Sequence, residues 1–374
     1  MIITKTPFRL TLGGGGTDLP SFYREHGGFV LAIGIDKHMY LSVNTPILDD
    51  GIRVQYSQTE LVRHVDEVQH TLAREALKSF GISNGIEIVS VADIPAGTGL
   101  GSSSCYLVGL LNALHTLTQS PSAPDILAEE ACQIELGRLQ KPIGKQDQYM
   151  AAFGGLTKLE IAKSGNVRAT RLCLPRELLD TLEHNILLFY TGTARDSAKI
   201  LEQQNHAAER RAGSVLSCLS QIKDIGVEIC DSIVRGDLHR FGQLLDVHWQ
   251  VKKRLSTGVT NPQIDSWYQL ARRNGAIGGK ISGAGGGGFL MLYCEQNRAR
   301  LREAMRRAGL RELNFRFEFE GSKVVFDMVS RDARLAHIQR QEARAARQPI
   351  PWPLSALAAK PRKGANGKAT GSLS

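Results

Sequence analysis

The chain of 374 residues is 42% hydrophobic and 22% charged, an ordinary globular composition long enough for two packed domains. No apolar run approaches the ~18–20 residues of a membrane span, and the strand-like start MIITKTPFRLTLGG lacks the regions of a signal peptide, so a cytoplasmic protein is expected. The formal charge of +9 gives no argument for nucleic acid, because residues 331–374 carry a net +7 and leave the body nearly neutral. Along the body, IITKTPFRLTL, GFVLAIGI, MYLSVNT, IRVQYS and GIEIVSV read as strands. VDEVQHTLAREALKSFG reads as an amphipathic helix ending at Gly81, followed by buried helix YLVGLLNALHTLT and helix PDILAEEACQIELGRLQ. Strand NILLFYTG, a long helix over DSAKILEQQNHAAERRAGSVLSCLSQI, helix IDSWYQLARRNG and strands GGFLMLYC and KVVFDMV complete an α/β pattern. The expected division is residues 1–180, residues 181–330, and a basic, Pro-interrupted tail 331–374 of disordered composition.

Six scattered cysteines without a CxxC pair, and ten histidines without ligand spacing, offer no zinc site. The chemistry lies in three glycine-rich segments. Ile94-Pro-Ala-Gly-Thr-Gly-Leu-Gly-Ser-Ser-Ser104 follows a strand and opens a helix. Its glycines let the backbone approach a ligand, and free amides at the helix start, with the helix dipole behind them, attract an anion. It is neither a Walker A loop nor a dinucleotide fingerprint. The acidic partner a dinucleotide would need is represented nearby only by Asp125, expected to cap the helix that begins at Pro124. Pro7-Phe-Arg9 leads into Gly13-Gly-Gly-Gly-Thr17-Asp18, and Lys280-Ile-Ser-Gly-Ala-Gly-Gly-Gly-Gly288 is a late third glycine turn.

In this order the three segments resemble the three signatures of the GHMP kinases, a superfamily that includes galactokinase, homoserine kinase and mevalonate kinase; the resemblance covers roughly residues 1–330. It implies a two-domain α+β fold, an N-terminal domain like domain 2 of ribosomal protein S5 and a C-terminal ferredoxin-like domain, with the active site between them. It further implies an ATP site over Pro95, Gly97, Gly99, Leu100, Gly101, Ser102, Ser103 and Ser104. Magnesium would be held by Ser103 and Glu135, and phosphoryl transfer would rest on Asp147, in a G-x-x-D-Q-like turn, with Arg9 offsetting developing negative charge.

The acceptor is expected against Gly15, Gly16, Thr17 and Asp18 of the first segment and Gly283, Gly285 and Gly286 of the third. Where galactokinases carry Gly-Glu-His-Thr-Asp, this chain has Gly14-Gly15-Gly16-Thr17-Asp18, which removes a carboxylate. That suits an anionic acceptor or simply a larger neutral sugar. Lys145 and Arg195, with Lys252 and Lys253 behind them, are the basic candidates for a distal phosphate. PFRLTLGGGGTDLPSFYREHGG and LLFYTGTARDSAKIL resemble the subgroup of heptose 7-phosphate kinases and the kinase half of fucokinases. That implies ATP-dependent phosphorylation of an anomeric hydroxyl, with an unphosphorylated sugar such as L-fucose as the alternative. The expected partners are small molecules, with neither nucleic acid nor membrane, and a homodimer stays open.

Overall fold

The computed structural model describes residues 1–46, 48–192, 213–329 and 334. The N-terminal alternation of threonines and apolar residues makes β1 (Ile2–Gly13), which pairs antiparallel with β2 (Gly28–Asn44) along almost its whole length. β2 is a single 17-residue strand where two strands were expected. The polar pair Asp36-Lys37 makes no turn. It falls in a register shift, Pro7 facing His38 and Phe8 facing Ile35, so the extra residues are absorbed as a bulge. Because β2 is so long, its first half holds β6 (Leu156–Ile161) and its second half holds β5 (Ile86–Ala92). β3 (Ile52–Gln55) adds parallel to β5, β4 (Thr59–Val62) pairs with β3, and β7 (Val167–Arg171) pairs with β6.

The expected helix over VDEVQHTLAREALKSFG is a 3₁₀ turn, Val65–Glu67, followed by α2 (Thr71–Ser79). His70 breaks the run by acting as the N-cap, its ring nitrogen accepting from the Ala73 amide at 3.2 Å. α1 (Pro20–His26) precedes β2. α3 (Ser102–Leu117) starts at Gly101 and is buried on most sides. α4 (Pro124–Cys132) has Ala123 as N-cap, so Asp125 lies in its first turn and does not cap it. Here Pro124 fills the first helical position, where a missing N–H costs nothing. α4 then widens into a π-helical segment, Gln133–Arg138, before α5 (Gln146–Phe153).

After α6 (Arg176–Asn185), β8 (Ile186–Tyr190) opens a second sheet with β9 (Gly278–Ile281), β10 (Phe289–Tyr293) and β11 (Arg311–Leu313). Its order is β11-β8-β10-β9, all antiparallel. α7 (Gly213–Val234), α8 (Leu238–Lys252) and α9 (Pro262–Arg273) come between its first two strands, and α10 (Arg298–Arg307) before its last. This is the β-α-β-β-α-β arrangement of a ferredoxin-like domain.

Strand pairing does not follow a single cut near residue 180. β12 (Phe317–Glu318) pairs with β2, and β13 (Lys323–Asp327) lies beside β1, so the end of the described chain returns to the first sheet. Arg195 and the tail, residue 334 apart, lie outside the described residues. Among the described residues, no helix is long and apolar enough to cross a membrane.

Candidate active site

The loop between β5 and α3 turns at Gly97, Gly99 and Gly101, with φ of 77°, 81° and 88°. These left-handed angles are open to glycine at little cost. Gly99 also packs on the β9–β10 loop: a Cβ there would stand 2.7 Å from the Ser282 carbonyl oxygen. The first amides of the 16-residue α3 follow at Ser102, Ser103 and Ser104, three orphan donors at the positive dipole end that suit phosphate.

Behind these serines lies Glu135, fully buried. Ser103 Oγ donates to its Oε1 at 2.7 Å, Ser104 Oγ to its Oε2 at 2.8 Å, and Gln148 Nε2 to Oε2 at 2.7 Å. Lys141 Nζ completes the group, 3.0 Å from Glu135 Oε1 and 3.1 Å from Ser103 Oγ. The π-helical segment sets Glu135 there, an example of such segments gathering at functional positions. Hydroxyl and carboxylate oxygens are the hard donors magnesium prefers, so the pair Ser103–Glu135 fits the ion. Among the described residues, no group of three or more His, Cys, Asp or Glu side chains could hold a metal, so further ligands would have to come from nucleotide and water.

On the other side of the loop, buried Arg9 reaches Asp147 with Nε at 2.8 Å and Nη2 at 2.7 Å from Oδ1. Its Nη1 donates to the Gly99 carbonyl at 2.7 Å, so one guanidinium locks the acid to the glycine loop. Asp147 stands in the first turn of α5, and a Cβ on Gly101 would lie 3.4 Å from its carboxyl carbon. One residue earlier, the Gln146 amide donates to Asp18 Oδ2 at 3.1 Å, and the Gly16 amide to Asp18 Oδ1 at 3.0 Å. Burial pushes the Asp18 carboxyl up from its usual value; those amides work against it, and the charge on Asp147 adds to it. Gly144 leaves room for Asp18, since a Cβ there would meet Oδ2 at 1.9 Å.

These groups face one cavity of about 830 Å³, within the range of small-molecule and cofactor sites. Arg9, Asp18, Glu135, Lys141, Asp147, Lys252 and Lys280 line it, with Gly97, Gly99, Gly101 and the three serines. At one end Tyr56, His70 and Tyr106 form a run of ring contacts at 4.7 and 4.5 Å, with the rings inclined at 66° and 40°.

The structure thus gathers Arg9, Asp147, Glu135, Ser103 and Asp18, which are far apart in sequence. Pro95, Gly15, Gly16 and Gly283 also line the cavity, whereas Leu100 is buried behind it and presents its carbonyl to the Arg9 amide. Four expected acceptor residues need correction. Lys145 is turned away: its ammonium binds Glu129 at 2.8 and 3.0 Å and the Gly165 carbonyl at 2.8 Å. Thr17 is fully buried and pins the glycine turn, donating to the Gly14 and Phe29 carbonyls and accepting from the Phe29 amide. Gly285 and Gly286 pack against Val259 outside the cavity lining. Sequence reasoning gave no role to Lys141, Gln146, Gln148 or the aromatic run; Gln146 and Gln148 stand in the G-x-x-D-Q-like turn, whereas Lys141 and the aromatic run carry no local motif. Lys280 opens the third glycine segment and was visible there without a role.

Two family models match: GHMP kinases N terminal domain over residues 64–155 and GHMP kinases C terminal over residues 230–310. A D-glycero-alpha-D-manno-heptose 7-phosphate kinase of Campylobacter jejuni is 28% identical, covering 86% of this chain and 98% of that protein. The L-fucokinase/L-fucose-1-P guanylyltransferase of Bacteroides fragilis is 28% identical over 80% of this chain, which matches 35% of that longer protein. A D-glycero-D-manno-heptose 1-phosphate kinase from Bacteroides thetaiotaomicron superposes with a TM-score of 0.71 at 24% identity, covering 88% of this chain and all of that one. Lactococcus lactis galactokinase, complexed with galactose, superposes at 0.70 with 17% identity, covering 86% and 94%. At these identities the two superpositions speak to the fold. With a phosphate-shaped glycine loop and an Arg-held aspartate in place, both family models identify GHMP kinase N- and C-terminal domains in this chain.

Proposed function

We propose that the protein moves the γ-phosphoryl group of ATP onto the anomeric C1 hydroxyl of a sugar phosphate, D-glycero-D-manno-heptose 7-phosphate in the first instance, giving the 1,7-bisphosphate. The observation that carries this reading is the Arg9–Asp147 pair, fixed at 2.7–2.8 Å beside the Gly97–Ser104 loop and next to buried Asp18. The loop amides and the start of α3 would hold the nucleotide phosphates. Ser103 and Glu135 would hold magnesium, which supplies charge neutralisation at the phosphates when bound. Asp18 accepts hydrogen bonds from sugar hydroxyls in this reading and orients the ring. Asp147 then takes the proton of the attacking hydroxyl or holds it in line, while Arg9 balances negative charge as it shifts toward the acceptor. The aromatic run suits the adenine ring.

The relatives support a phosphate-bearing heptose and, through the fucokinase, a free hexose as the competitor. ADP release measured across heptose 7-phosphate, mannose 6-phosphate, mannose and L-fucose separates them. The expected order places heptose 7-phosphate first in kcat/KM. Faster turnover of L-fucose or mannose contradicts the assignment of a sugar phosphate.

A further inference from the structure

The wall formed by α8, β9 and the β9–β10 loop holds a charge imbalance that the transfer steps above leave unused. Lys252 and Lys280 are 6% and 2% exposed, and both line the cavity. Among the described residues neither ammonium has an ion pair: Lys252 Nζ donates only to the Gly283 and Ile281 carbonyls, and Lys280 Nζ meets no hydrogen-bond acceptor. One turn before Lys252, His248 is fully buried, with both ring nitrogens unpartnered among the described residues. Among those residues, three basic groups are therefore packed together with no acid between them.

A desolvated cation without a counter-ion is among the costlier arrangements a protein can keep. Here the cost is visible: burial and Arg9 hold the Lys252 ammonium down at about 8, with Asp18 acting weakly the other way, and burial, Lys252 and Arg9 push Lys280 far down. Burial and the two lysines likewise push His248 well below its usual value. A dianion would relieve all three. The loop facing them has Gly15 and Gly16 where an acidic side chain would repel one, and Asp18, its one carboxylate, is engaged by the Gly16 and Gln146 amides.

We infer that Lys252 and Lys280 form the subsite for the acceptor's own phosphate monoester, with His248 as the buried group beneath them. This rests on the sugar-phosphate reading above and gives it a structural origin. A monoester carries close to two negative charges at neutral pH, and lysines bind it as point charges. Arg9 faces the same space and is shared with Asp147, so it couples the subsite to the reacting end of the cavity.

The test is equilibrium binding without nucleotide, by calorimetry, of heptose 7-phosphate and of the dephosphorylated heptose, to wild type, Lys252→Met and Lys280→Met, with Lys280→Arg as the conservative variant. Methionine keeps the length and removes the charge, and thermal melts check folding. The expected result is at least a tenfold loss of heptose 7-phosphate affinity in each methionine variant, no more than a twofold change for the dephosphorylated sugar, and partial recovery in Lys280→Arg. In kinetics the same variants raise KM for the sugar phosphate and leave KM for ATP within about twofold. A matching loss for both sugars assigns the cations to the sugar ring, a loss confined to ATP assigns them to the γ-phosphate, and either overturns the inference. So does wild-type affinity in both variants. If a variant fails to fold, the wild-type melt decides: heptose 7-phosphate must raise Tm well above what the dephosphorylated sugar does, and equal shifts overturn the subsite. Because binding is read without turnover, tight lysine-dependent binding with no ADP release sinks the kinase reading and leaves the subsite standing.

Discussion

Glu135 shows at single-residue scale how a buried charge is kept. Four donors converge on its two oxygens: Ser103, Ser104, Gln148 and Lys141, all at 2.7–3.0 Å. A carboxylate accepts all four, whereas an amide in its place turns one oxygen into a donor facing donors. Glu135→Gln is therefore expected to weaken magnesium-dependent ATP turnover by at least tenfold and to lower Tm, read from a magnesium titration of ADP release together with a thermal melt. Gly144 governs the next side chain. A methyl group at 1.9 Å from Asp18 Oδ2 must displace that carboxylate from the Gln146 and Gly16 amides. Gly144→Ala should raise the acceptor KM by an order of magnitude or more and leave KM for ATP nearly unchanged in steady-state kinetics. Arg9 and Asp18 were legible because they flank the first glycine-rich segment, and Asp147 because its turn resembles the family's G-x-x-D-Q. Lys145 was misjudged for a physical reason: it precedes Asp147 by two positions, but the chain enters α5 there and its side chain leaves on the opposite face, toward Glu129.

Among elements, the two glycine loops act as one part. Gly99 and Gly283 lie back to back, a Cβ on either falling within 2.8 Å of the other loop. A side chain at Gly99, where φ is 81°, meets both backbone strain and the Ser282 carbonyl. Gly99→Ala should cost about 1–3 kcal/mol of stability from the strained angle alone and raise KM for ATP, checked by denaturant titration and kinetics. The need for three glycine runs was legible in the chain, and so was the buried α3. The π-helical widening at Gln133–Arg138 was not, because hydrophobic spacing over PDILAEEACQIELGRLQ reads as one helix throughout. The split before α2 was missed because a histidine cap, His70, lacks the Ser, Thr, Asp or Asn signature. β2 merged two expected strands because a bulge and a turn share the same polar residues, and only the partner strand decides between them.

Across the whole molecule, the first sheet is closed by residues from the far end of the chain. Ile2 to Lys5 pair with Lys323 to Asp327, and Lys5 Nζ binds Glu318 at 3.0 Å. A chain ending at Gly321 exposes the edge of β1 and should aggregate or melt markedly lower, by light scattering and calorimetry. No local pattern announces that return, since KVVFDMV reads equally well as a strand of either sheet. The cation wall makes a pH prediction. Lys252 titrates near 8 in the fold against an ordinary 10.5, so below pH 8 folded and unfolded chains both carry the charge and the fold bears its burial. Between 8 and 10.5 the unfolded chain holds a proton that the fold has released, and stability rises with pH. Burial and Arg9 bear on Lys252 with the same sign, and Asp18 opposes them. The ligand-free wild type should gain Tm from pH 7.5 to 9.5 relative to Lys252→Met.

The central claim is that Asp147, placed by Arg9 beside the glycine loop, drives phosphoryl transfer to a sugar. The most direct measurement is steady-state ADP release on heptose 7-phosphate by Asp147→Asn against wild type, with ATP affinity measured alongside. The expected kcat is lower by ~10²–10⁴-fold, with ATP binding kept within a few-fold. Full turnover by the folded variant would contradict it.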